Sequence, residues 1–181
     1  IQKGVSPMKK LFLPLICAML LALCGGRTAQ AFATMPLIDN VSPAEYVEFV
    51  NTFLENPTFM RAPTHDLGAS RLAGHDVYTS RTQNGTIVQL HTDGENIFYL
   101  NATFNEDNED AVLDVSSLSV ATYIACDMSE SEINAIIDME SVQEGNSFTD
   151  SIYCSAAQRM ITSRTVLDGT NSTVVLSASP N

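Results

Sequence analysis

The sequence predicts an α+β fold, a two-layer antiparallel sheet with helices packed on one face. A capped amphipathic helix starts after residue 42. An alternating apolar pattern with regular turn signals follows over residues 75–104, and a helix-then-strand order fills the remainder.

Ahead of that fold, Met8-Lys9-Lys10, an apolar run over residues 11–24 and the small-residue triplet Ala29-Gln30-Ala31 have the order of a bacterial secretory signal peptide. Residues 1–7 precede the first methionine and read as an upstream remnant, residues 8–31 as the signal, and residues 32–181 as a single exported domain. Cleavage is expected after Ala31, with Ala29 as the second small residue of the recognised triplet, and after Ala33, in Ala31-Phe32-Ala33, as a second choice. Leu21-Ala22-Leu23-Cys24-Gly25 resembles a lipobox, which makes Cys24 the rival lipidation point, although Leu23 is larger than the small residue that normally precedes a lipidated cysteine.

Within the domain, Ser42-Pro43-Ala44-Glu45 forms a capping box with proline at the first helical position. Tyr46, Phe49, Val50, Phe53 and Leu54 then fall on one helical stripe, and Asn56-Pro57 ends it. From His75 the period changes to two. Asn84-Gly85 predicts a two-residue hairpin turn and Asp93-Gly94 the next turn. That register places Val77 and Thr79 on one face with Val88, Leu90, Ile97 and Tyr99. Phe98, Leu100, Ala102 and Phe104 lie on the other face, so this third strand is apolar on both faces and is expected to be central or covered.

Residues 106–110 are an acidic loop without the glycine and alternation of a calcium loop. Beyond it the order repeats. Leu37-Ile38-Asp39 recurs as Val112-Leu113-Asp114, Val77-Tyr78-Thr79-Ser80 as Ile152-Tyr153-Cys154-Ser155, and Asp93-Gly94 as Asp168-Gly169, all at an offset of 75, and Leu100 recurs as Leu176 at 76. These matches suggest a tandem duplication of a helix-plus-β-meander unit, with repeats over residues 36–104 and 111–179. Residues 118–125 fit a helix, while the β-branched content of residues 120–124 also allows a strand. Ser129-Glu130-Ser131-Glu132 is a second capping box, followed by Ile133, Ile136 and Ile137. Strands are expected near residues 152–155, 160–166 and 173–179. In an oxidising compartment Cys126 and Cys154 are expected to form a disulfide that ties the helical layer to the second unit. A doubled helix-plus-sheet unit with a disulfide is similar in arrangement to the secreted β-lactamase inhibitor proteins. The likeness is one of arrangement, and no residue is carried across.

Charge narrows the function. Residues 32–181 hold all 21 acidic residues against Arg61, Arg71, Arg81, Arg159 and Arg164 and no lysine, a formal charge of −16. Such a surface repels phosphate backbones and anionic headgroups, which excludes nucleic acid as a partner, and the mature chain has no segment for membrane insertion. A cationic protein or peptide is the compatible partner, and the pattern fixes no oligomeric state. Lysine-dependent catalysis is excluded. No Gly-x-Ser-x-Gly, Ser-x-x-Lys or His-Glu-x-x-His occurs, and no cofactor is called for. The expected register sets His75 and His91 on opposite faces, which argues against a metal pair, and the dipeptides His65-Asp66 and His75-Asp76 read as loop and strand-end features. The expectation is an exported noncatalytic binding protein that binds or inhibits a cationic protein. The alternatives are a small secreted hydrolase using His75 or His91, and a structural envelope lipoprotein.

Overall fold

A computed structural model describes residues 35–71 and 73–181. The signal segment, the cleavage residues Ala29 and Ala31, Ala33 and the lipidation candidate Cys24 lie outside the described residues.

Helix α1 (Pro43–Phe53) starts where the capping box places it. Ser42 Oγ accepts from Glu45 N, and the Glu45 carboxylate accepts from Ser42 N at 2.9 Å, so two of the orphan donors at this helix end are satisfied. Its buried side is Tyr46, Val47 and Val50, whereas Phe53 is 40% exposed. Strands β1 (Thr64–His65), β2 (Asp76–Arg81), β3 (Ile87–Thr92) and β4 (Ile97–Asn105) follow. Next come helices α2 (Glu109–Ala125) and α3 (Glu130–Asp138), and then strands β5 (Val142–Glu144), β6 (Ser147–Cys154), β7 (Arg159–Val166) and β8 (Asn171–Ser179). Asn108 caps α2. Ser129 and Glu132 cap α3 with the same reciprocal pair as α1.

The eight strands form one antiparallel sheet in the order β1-β2-β3-β4-β8-β7-β6-β5. Two meanders therefore meet along β4 and β8, where Leu100 lies directly opposite Leu176. Strand β4 is central, which explains why it is apolar on both faces. One face carries Val88, Leu90, Leu100, Ala102, Leu176 and Ile161. These join Tyr46 and Val50 of α1, Leu118 and Ala121 of α2 and Ile136 of α3 in a single core. Helix α2 packs on β4 and against both other helices, and α3 packs on β6.

The hairpin register corrects the expected one. Val77 lies opposite His91 and Tyr78 opposite Leu90, a shift of one residue. The expected two-residue turn needs positive φ at both Asn84 and Gly85, but only Gly85 has it, at +96°. Thr82 N donates to Thr86 O and Gly85 N to Thr82 O, giving a three-residue loop with glycine in the left-handed position. The slip moves Val88 and Leu90 to the helix-covered face with Leu100, and puts Val77 with His91 and Tyr99 on the other. Of the four recurring sequence matches, three fall on corresponding strands or turns. The first does not, because Leu37 and Ile38 lie in an extended segment bridged to Ile97, whereas Val112 and Leu113 lie in α2.

Candidate functional site

The second half of the fold builds a cavity of about 320 Å³ between the helices and the sheet. Val115, Ser119 and Tyr123 reach it from α2, and Ile136 and Ile137 from α3. Asp150, Ser163, Thr165 and Val174 form its floor on β6, β7 and β8. Asp150 and Ser163 are cross-strand partners, so their side chains stand side by side on the helix-covered face. Tyr123 hydrogen-bonds to Ser163. Burial, followed by the nearby Asp150 charge, raises its hydroxyl pKa above the usual tyrosine range against that bond. Asp150 Oδ1 is closed off from water and no hydrogen bond reaches it. A carboxylate held partly out of water with no counter-charge in the fold costs free energy that a cation at its other oxygen would offset. Ile137, 58% exposed, stands at the rim.

Another carboxylate, Asp114, is buried and fully used. It accepts from the Thr82 hydroxyl and from Asn84 Nδ2 at 2.9 Å, and Thr86 Oγ1 donates to Ala111 O at 3.4 Å, so this group locks the β2–β3 loop onto α2. Among the described residues the arginines with ion pairs are also committed within the fold. Arg159, with an 8% exposed side chain, pairs with Asp39 and donates to Pro36 O and Ala157 O, while Arg71 pairs with Asp76 at 2.9 Å. Arg164 Nη2 donates to Ser147 Oγ at 3.2 Å.

The histidines gather differently from the expected pattern. His75 and His91 interact electrostatically and lie on the same side of the sheet, because the register is set by Val77 opposite His91. This corrects the placement on opposite faces. A bulge leaves Phe98 as the extra residue between the pairs His91–Tyr99 and Thr92–Ile97, and the His75 ring stacks on it with centroids 4.0 Å apart. Burial, then the neighbouring His75, lowers the pKa of His91, whose Nε2 sits 3.3 Å from Asn101 Nδ2. No group of three or more His, Cys, Asp or Glu side chains suited to a metal occurs among the described residues. His65 stacks on Tyr78 and lies 3.6 Å from Asp76, while Asp66 accepts from the amides of Gly68 and Ala69 in a local turn.

Cys126 and Cys154 are buried neighbours, and the structure holds them as two thiols. Cys154 Sγ donates to Cys126 O at 3.4 Å and Cys126 Sγ to Leu37 O at 3.2 Å. Burial, with a smaller contribution from Cys154, pushes the Cys126 thiol far above the ordinary range, which suppresses the reactive thiolate.

Compared with protein-family models, with curated proteins and with solved structures, the chain finds no match. The likeness in arrangement to the β-lactamase inhibitor proteins therefore carries no argument about this site. The Asp150 cavity escapes sequence inspection because Asp150 is one acid among 21, and only the β6–β7 register and the position of α2 bring it to Ser163 and Tyr123.

Proposed function

We propose that this chain is an exported, noncatalytic binding protein whose partner is a cationic protein. The charge imbalance supports the reading: 21 acidic residues stand against five arginines in residues 32–181, and Arg159 and Arg71 are already paired with acids of the same domain. Carboxylates such as Glu48, Glu55, Asp107, Glu109, Asp138 and Glu144 are exposed, so the domain presents a field that attracts positive charge and speeds encounter with a basic surface. No helix among the described residues is long and apolar enough to cross a membrane.

Export rests on the order of residues 8–31, and an oxidising destination would let Cys126 and Cys154 pair while the chain folds, before burial protects the thiols. A duplicated origin is part of the same proposal. Its support is the mirror-like strand order about β4 and β8, with Leu100 opposite Leu176.

The test is capture. Immobilised protein is exposed to envelope and culture-supernatant extract at low salt, washed, and eluted with a salt step into a mass spectrometer. A basic protein released by salt supports the proposal. An empty eluate, or a partner that salt fails to release, contradicts it.

A further inference from the structure

We infer that the cavity between α2, α3 and β6–β8 is an alkylammonium site, serving a lysine side chain of the cationic partner, with Asp150 as the counter-charge. This deepens the proposed function and rests on it for the source of the lysine.

Three features of the cavity fit that ligand. First, Asp150 lines it with no ion pair among the described residues and with Oδ1 lacking any hydrogen bond, so the negative charge is uncompensated from within the fold. Second, Val115, Val120, Ile136 and Val174 supply apolar walls that suit a tetramethylene stem. Third, Ser163 and Tyr123 set hydroxyl oxygens beside the carboxylate, and an ammonium has three donors to share among such acceptors. At about 320 Å³ the space is near the lower end of the range for small-molecule pockets, enough for one side chain.

Asp150 discriminates between the two basic side chains. With Oδ1 shut off from water, the carboxylate cannot present both oxygens in plane to a guanidinium fork. A compact ammonium needs only one oxygen and the hydroxyls beside it. Ile137 at the rim gives an incoming aliphatic stem further apolar surface to cover.

The experiment is a titration of the ¹⁵N-labelled chain with n-butylammonium chloride, followed by NMR, with n-butanol as the uncharged control. Saturable shifts at the amides of Ser163, Thr165 and Val174 are expected for the ammonium and not for the alcohol. Asp150→Asn should weaken that binding by at least about tenfold, because the ammonium loses its partly desolvated counter-charge. Ser119→Phe fills the cavity from α2 without touching the charge and should abolish the shifts, so the test survives if Asp150→Asn fails to fold. Shifts that never saturate, or that persist unchanged in both variants, would overturn the site. If butylammonium binds but extract capture yields no basic protein, the ammonium site stands and the protein-partner reading falls. If capture yields a salt-released basic protein that Asp150→Asn binds equally well, the reading stands and this site falls.

Discussion

Replacing Arg159 with alanine tests how the segment preceding α1 is held. The guanidinium is almost buried, with 8% of its side chain exposed, and donates to Pro36 O, to the Asp39 carboxylate and, through Nε at 3.2 Å, to Ala157 O. Asp39 is 44% exposed, so solvent screening reduces its ion pair to about 1 kcal/mol. The two carbonyls left unpaired cost roughly 1 kcal/mol each. Arg159→Ala should therefore destabilise the protein by about 3 kcal/mol. With a urea m-value of about 2 kcal/mol/M, the midpoint should fall by about 1.5 M with no change in slope. Asp39→Asn should cost about 1 kcal/mol or less, because the carbonyl bonds survive. Equilibrium urea unfolding of the three proteins measures both numbers. The reasoning fails if Arg159→Ala lies within about 1 kcal/mol of the parent, or if Asp39→Asn costs as much as Arg159→Ala.

Other consequences follow from the same structure. Asp114→Ala removes the buried acceptor of Thr82 and Asn84 and should cost about 2 to 3 kcal/mol, with amide exchange accelerated first in the loop over residues 82–86; uniform acceleration would contradict that local role. Glu132 is held down to about 2 from 4.5 by the Ser155 amide first and then by Ser129. Its folded value is depressed, so its contribution is fully present above about pH 4.5 and is lost as pH falls towards 2. Glu132→Gln should flatten the stability profile over that interval, and parallel profiles would rule the linkage out. In the reduced, folded protein Cys126 should resist Ellman's reagent until denaturant is added, while chain recovered after export should lack two hydrogens by intact mass. Gly85→Ala should cost about 1 to 2 kcal/mol, because φ is +96° there; an unchanged melting temperature would exclude the assigned turn.

Local signals were legible where the chemistry is local. Ser42 and Glu45, and again Ser129 and Glu132, specify a helix start within four residues, and both helices start there. Apolar residues on both faces of the third strand point to a central or covered position, and β4 takes the central one. Strands β1 and β5, of two and three residues, are too short to show a period and were missed. The register error came from one torsion: Asn84 does not take the positive φ that a two-residue turn demands, and the one-residue difference exchanged the faces of Val88 and Leu90. The same slip hid the proximity of His75 and His91. Residues 120–124, with a β-branched bias, are helical because α2 packs Leu118, Ala121 and Tyr123 into the core, an instance of tertiary burial overriding propensity. Asp150 was invisible for a different reason, since its partners Ser163 and Tyr123 are set by long-range pairing.

Binding through the acidic surface is best tested by the salt dependence of affinity for the captured basic protein. The Debye length falls from about 30 Å at 0.01 M to about 10 Å at 0.1 M and about 3 Å at 1 M salt. Isothermal titration across that range should show affinity dropping steeply and continuously as salt rises. An affinity that stays level from 0.01 M to 1 M would contradict a role for the carboxylate surface in recognition.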